Sequence, residues 1–364
     1  MKKLSIKLQN YQRRRNISAI RKLRKAVFHR PRTKKQIIKR IYGNKNTICA
    51  PSKFIIYSGK KNLDSSDIDL YFEFINKIRT YKLHELRIDF TNVTRMVVDA
   101  ALLFKAELSR LITINNVKVT AIPPKSDRTK QVLKQTKIDK LLGLTIDSTP
   151  NREDVVHWRV AEGPRTHVDP NTLAEIMDDI ESATGMESHP IYQGIIESMA
   201  NCVEHAYKEH PDVKRPMPND PGWWVFQQVK NETLWVVVCD LGIGVRRSLP
   251  LTLAGEQGLL KKLFHLVRKA KGNDNRALLA AMEYGRSSTG NTQRGKGMRN
   301  AHRVVDEIGE GHFFAVSNQG CYAYQKEKNQ HKGAHQTVKL RYSINGTLLG
   351  WMLPLKRITQ ESLI

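Results

Sequence analysis

Cysteine is scarce in this sequence, with four in 364 residues, at positions 49, 202, 239 and 321. None stands in a Cys-x-x-Cys pair, so neither a disulfide framework nor a structural zinc site is expected, and a reducing cytoplasm is the natural setting. Long apolar runs are missing as well. The run Leu234 to Cys239, in the most hydrophobic part of the chain, falls far short of the ~20 residues that a membrane-spanning helix needs. The basic N-terminus is not followed by an apolar h-region, so no secretory signal is read. Acidic residues are absent from residues 1–63, which hold 20 Lys and Arg and so carry +20 of the formal net charge of +26. The body that follows is nearly balanced, with 41 basic and 35 acidic side chains. At 40% apolar residues the chain can build real cores, and its length suggests two domains or three.

Residues 1–49 read as a basic arm, with Arg13-Arg14-Arg15, Arg21-Lys22, Arg24-Lys25 and Lys34-Lys35. Helical spacing is expected over Ile17 to Phe28 and again over Lys34 to Tyr42, after the break at Pro31. Such an arm attracts nucleic acid through counterion release, or an anionic membrane surface, or serves as a solvated tail. No aromatic stacking platform or base-reading motif accompanies it, so sequence-specific recognition is not expected.

Residues 50–145 alternate between strand and helix patterns. Strands are read at Lys53 to Tyr57, Glu85 to Phe90 and Val117 to Ile122, and helices at Asp67 to Tyr81, Val98 to Ile112 and Arg128 to Leu142. This order predicts a parallel or mixed sheet covered by helices. Together with the phrase Arg87-Ile-Asp-Phe-Thr-Asn-Val-Thr-Arg-Met-Val-Val-Asp-Ala-Ala-Leu-Leu, it resembles the STAS domains of bacterial anti-anti-sigma factors. In that family a Ser or Thr at the start of the helix after the strand is phosphorylated, which switches partner binding. Here Val97 and Val98 occupy that place, so the resemblance implies an interaction module without the phospho-switch.

Residues 146–184 connect, with a strand expected over Val155 to Val160 and Asp169-Pro170 opening a helix to about Ala183. Residues 185–358 carry the informative motifs. Ile191 to Tyr207 reads as one helix on which Glu197, Asn201 and His205 stand four apart and share a face. A carboxylate there can orient or deprotonate a nucleophile, and an amide oxygen can bind a hard cation such as Mg²⁺. The strand Thr233 to Cys239 runs into Asp240-Leu-Gly242-Ile-Gly244, where a carboxylate can accept from an exocyclic amine and two glycines let a ring lie against the backbone. Arg294-Gly295-Lys296-Gly297 opens a helix to about Ile308, whose N–H groups make a phosphate cradle. Asn345-Gly346-Thr347 enters the strand Leu348 to Leu353, with a hydroxyl in reach of a nucleotide. Trp223-Trp224, Tyr322, Tyr324 and Trp351 read as packing residues of strands, and Lys208 to Gly222, with four prolines, as a rigid excursion.

Four such motifs in this order resemble the nucleotide-binding fold shared by DNA gyrase, histidine kinases and MutL (the GHKL superfamily), an α/β sandwich of helices layered on a mixed sheet. The resemblance implies ATP and Mg²⁺ as ligands. Asn201 would be the Mg²⁺ ligand and Glu197 the base; Asp240 would contact the adenine amine, above Gly242 and Gly244. Gly295, Lys296 and Gly297 would hold the phosphates, Thr347 would close the site from the sheet, and residues 249–290 would form a lid. Residues 145–185 offer no obvious long helix with a phospho-accepting His, and a transducer domain after the last motif is not expected. What remains resembles the small anti-sigma serine kinases, whose usual partner in trans is a STAS domain. The leading expectation is an ATP/Mg²⁺ regulatory switch with slow hydrolysis, coupled to the STAS-like domain and a protein partner, with a homodimer implied by analogy alone. The alternatives are a protein serine/threonine kinase and a nucleic-acid-binding regulator that works through residues 1–45. On the last reading, deleting residues 1–45 removes DNA or RNA affinity in a filter-binding assay, and affinity of the intact chain falls steeply with salt.

Overall fold

The computed structural model describes residues 46–57, 65–184, 189–230, 232–253, 273–287 and 297–355. The chain divides between Thr47 and Ile48. Residues 1–45 of the basic arm, with both expected helices, lie outside the described residues, and the last three residues of the arm, Thr47–Cys49, form a strand.

The body is α/β, as its alternating patterns predict. It opens with strands β1 (Thr47–Cys49) and β2 (Lys53–Phe54), helix α1 (Ser65–Arg79), and strands β3 (Glu85–Asp89) and β4 (Arg95–Met96). Helix α2 (Val98–Asn115) and strand β5 (Lys118–Ile122) follow. The small sheet has the order β1-β3-β5, and its β3–β5 pair is parallel, as is β2–β4. Helix α2 is buried almost all round from Val98 to Leu111, as expected of a helix with sheets on both sides. It ends at Asn116, whose left-handed φ of 51° lets its N–H reach back to the Leu111 carbonyl.

The expected single helix from Arg128 to Leu142 is two pieces, α3 (Asp127–Gln135) and α4 (Ile138–Leu141). The break falls where the Thr136 hydroxyl bonds back to the Val132 carbonyl at 2.8 Å and Lys137 turns to φ 57°. The strand expected over Val155 to Val160 starts late. Glu153–Val156 is instead a helical turn, α5, and β6 runs Trp158–Gly163. The turn is held by the Trp158 indole N–H on the Asp154 carbonyl at 2.8 Å and by the Gln135 amide on the Val156 and Trp158 carbonyls. Helix α6 (Pro170–Thr184) begins as read, with Asp169 accepting from the Thr172 N–H at 3.1 Å.

The remaining elements are α7 (His189–Asn201), β7 (Trp223–Lys230), β8 (Thr233–Asp240), α8 (Val245–Leu253), α9 (Asp274–Ser287) and α10 (Gly297–Ile308), then β9 (Gly311–Ser317), β10 (Gly320–Lys326), β11 (Ala334–Lys339) and β12 (Thr347–Pro354). Seven strands form one sheet in the order β11-β10-β9-β12-β8-β7-β6. Every pairing in it is antiparallel, where a mixed sheet is expected for this half.

The period of two along the strands gives this sheet two apolar faces. Trp223, Val225, Val236, Val238, Phe313 and Trp351 face one core with residues of α6, α7, α9 and α10. Trp224, Phe226, Val237, Cys239, Phe314 and Val316 face the other, shared with α2 and the small sheet. The adjacent Trp223 and Trp224 thus serve opposite cores. The small unit and the large sheet are joined by this common interior and by the ion pair of Lys105 with Glu162 at 3.2 Å.

One buried charge stands out at the junction. Asp99, in the first turn of α2, accepts from the N–H of Tyr57 at 2.5 Å and of Ala100 at 2.7 Å. Burial nevertheless raises its carboxyl to about 7. The folded value lies above the unfolded one, so the neutral form is the stabilised one and stability is lost as pH rises from about 4 through about 7. The difference in unfolding free energy between the native chain and Asp99→Asn is expected to shift against the native chain by about 3–4 kcal/mol across that interval, read by denaturant titration at several pH values.

Candidate functional site

Between the large sheet and its helices lies a cavity whose floor comes from two adjacent strands. The same alternation that buries Val236 and Val238 brings Asp240, at the end of β8, onto the helix-covered face. Its partner across the antiparallel pair is Thr347, the first residue of β12, which also pairs with Ser317 of β9. Polar groups in the cavity wall include Ser198, Asn201, His205, Asp240, Ser248 and Thr347; Val238, Leu249, Ala281, Met298 and Leu349 supply apolar contact.

Asp240 is 5% exposed. Its Oδ1 accepts the Gly242 N–H at 2.8 Å and the Thr347 N–H at 3.2 Å, and the Cys202 thiol lies 3.9 Å from Oδ2. Burial pushes its carboxyl up to about 6 despite those two N–H groups and the nearby Arg215 charge. A carboxylate fixed in this way keeps accepting capacity for an amine donor inside the cavity.

The two glycines after Asp240 have different reasons. A Cβ on Gly242 would run into the Ala206 carbonyl, the same carbonyl that accepts the Ile243 N–H at 2.7 Å. Gly244 has φ +78°, and the Asn318 side chain fills the place of a Cβ. Gly244 lines the cavity, whereas Gly242 packs against the chain itself. The Ser317 hydroxyl then accepts the Val245 N–H at 2.8 Å at the start of α8.

The helix carrying the acid and amide is α-helical only as far as Asn201. Cys202–Ala206 widens into a π turn, which ends beside the Gly242 loop. Among the described residues, Asn201 Nδ2 and His205 Nδ1 are buried without a hydrogen-bond partner, and both residues face the cavity. Burial, followed by the charge of Lys208, lowers the His205 pKa. Glu197 is half-buried one turn before Asn201 but is not part of the wall; Ser198 is, with its hydroxyl on the Gly194 carbonyl at 2.7 Å.

Helix α10 starts at Gly297 as expected, and Met298 beside it enters the wall. Gly295, Lys296 and Arg294 lie outside the described residues. Of the expected lid, α8 and α9 are helices joined by Arg246 and Asp274 at 3.0 Å, and residues 254–272 and 288–290 lie outside the described residues.

Two contributors escape sequence reading. Arg215, within the proline-rich excursion, donates from one nitrogen to the carbonyls of Leu241 (3.0 Å), Gly242 (2.6 Å) and Asn345 (2.8 Å). The Tyr207 hydroxyl accepts the Leu241 N–H at 3.1 Å and donates to the Gly222 carbonyl. Neither stands in a motif; four prolines around Arg215 are the sole hint that its loop is held in place.

No protein-family profile and no curated protein matches the chain.

Gly242→Ala meets backbone rather than a flexible side chain and is expected to cost about 1–3 kcal/mol of stability by denaturant titration. Gly309→Ala, where a Cβ meets nothing within 4 Å, pays only for its φ of +94° and separates crowding from backbone strain in the same measurement.

Proposed function

We propose that the chain is an ATP-binding regulatory switch of the GHKL type with slow hydrolysis, coupled to an STAS-like interaction unit. One observation carries this reading: Asn201, Asp240, Met298 and Thr347, from four separated segments, line a single cavity. Helices on one face of the large sheet and the small α/β unit on the other support this reading, although the sheet is antiparallel throughout and not mixed.

Asp240 accepts the exocyclic amine of adenine while Val238, Leu249 and Leu349 flank the base. The N-terminus of α10 favours the negative phosphates. Asn201 suits a hard cation: its amide is buried in the wall with an unpartnered nitrogen, which leaves its oxygen free to be turned inward. Among the described residues no group of three His, Cys, Asp or Glu side chains gathers around a metal position, so Mg²⁺ would take its other oxygens from phosphate and water. When bound, Mg²⁺ supplies neutralisation of phosphate charge. Glu197, one turn before Asn201 but outside the cavity wall, is the group that would orient the attacking water and take up its proton once nucleotide is bound. The small unit lies on the sheet face opposite the cavity and has Val97 and Val98 where a phospho-acceptor would stand, which favours hydrolysis over phosphoryl transfer within the chain.

In calorimetry with Mg·ATP, Asn201→Ala is expected to abolish binding, whereas Glu197→Ala binds but releases no phosphate. Unchanged binding by Asn201→Ala rejects the site. Affinity of the native chain falls as pH drops below about 6, where Asp240 becomes neutral and loses accepting capacity. Transfer of the γ-phosphoryl label to a protein, instead of free phosphate release, would favour the kinase reading.

A further inference from the structure

The strand entry that brings Thr347 to Asp240 is held from the small unit. Arg79, the last residue of α1, donates to the carbonyls of Ser343 and, at 2.8 Å, of Ile344, just ahead of the Asn345-Gly346-Thr347 turn. The same guanidinium is paired with Glu107 of α2, whose other oxygen takes the Arg110 Nε at 2.8 Å. Glu107 is 1% exposed; burial opposes its charge, yet the two guanidinium groups hold its carboxyl below the usual range. One residue further along, Arg215 takes over by bridging Asn345 to Leu241 and Gly242. Gly346 then lies against the Asp240 backbone, and the Thr347 N–H reaches Asp240 Oδ1. Charge-assisted hydrogen bonds, linked by the covalent 343–347 backbone, thus connect the interior of the small unit with the floor of the cavity, although the two lie on opposite faces of the sheet.

We infer that Arg79, seated by Glu107, is a positioning residue for the nucleotide site, so that the affinity of the cavity depends on how the small unit grips the 343–347 backbone. This inference rests on the nucleotide reading above. By linkage, nucleotide in the cavity tightens that grip by the same factor, which makes the small unit the place where a partner reads or alters the bound state.

The test uses the full chain as native protein, Arg79→Gln, Arg79→Lys and the control Lys77→Ala, an exposed residue of the same helix paired with Glu73. Two quantities are measured: the Mg·ATP dissociation constant by calorimetry, and the rate of iodoacetamide labelling of Cys202 without nucleotide, by mass spectrometry. Cys202 reports on the floor because its thiol lies beside Asp240. Arg79→Gln is expected to weaken Mg·ATP about tenfold and to accelerate Cys202 labelling while melting cooperatively. Arg79→Lys keeps the charge beside Glu107 but loses the fork, and is expected to show both changes to a smaller extent. Lys77→Ala leaves both quantities at native values. Native affinity and native labelling in either folded Arg79 variant overturn the inference, and Arg79→Lys serves if Arg79→Gln does not fold. A native chain that binds no Mg·ATP overturns the nucleotide reading instead. The labelling rate then decides alone whether Arg79 positions the floor, accelerated labelling supporting it and unchanged labelling overturning it.

Discussion

A single buried carboxylate oxygen organises this molecule. Asp240 Oδ1 receives an N–H from the turn that immediately follows it and another from a strand 107 residues further along. These donors, the Thr347 side chain and the nearby Arg215 charge do not fully offset the loss of water, and burial leaves the carboxyl at about 6. The site therefore keeps an electrostatic demand that a further donor inside the cavity would meet. Around this point the chain withdraws bulk: Gly242 makes room for the π turn, Gly244 for Asn318, and Gly346 for the Asp240 backbone.

The sheet that carries this carboxylate is used on both sides. Odd and even residues of β7 and β8 enter different cores, so each strand is a wall common to two compartments. The helix face holds the cavity, whereas the other face holds α2, an element whose Asp99, Lys105, Glu107 and Arg110 are buried with partners along its length. Of these, Lys105 pairs across with Glu162, and Glu107 seats the Arg79 that reaches the Ser343 and Ile344 carbonyls, so a shifted seating of the small unit would lose those contacts.

Much of this was legible in the sequence, and the reasons differ by element. Strand Thr233–Asp240 announces itself by an apolar run that ends in Asp-Leu-Gly-Ile-Gly, and helix Gly297–Ile308 by a glycine pair before a strongly two-faced segment. Helical spacing marks Asn201, the end of an apolar run marks Asp240 and a turn into a strand marks Thr347, and the three line one cavity. The π turn at Cys202–Ala206 leaves no mark in composition, since one widened turn keeps the same apolar residues. The break at Lys137 depends on a hydroxyl bonding back to the backbone, and Arg215 works through carbonyls that no side-chain motif records. The docking of α2 onto the large sheet is a matter of matching surfaces, which local periodicity does not encode.

The covered far face of the sheet has a consequence for traffic with other molecules. An outside protein seeking that surface would compete with a tethered occupant whose effective concentration is set by the covalent connection, in the millimolar range for short linkers. Dilution does not dislodge such an occupant. Only a ligand that also changes the energy of the tethered arrangement could uncover that surface.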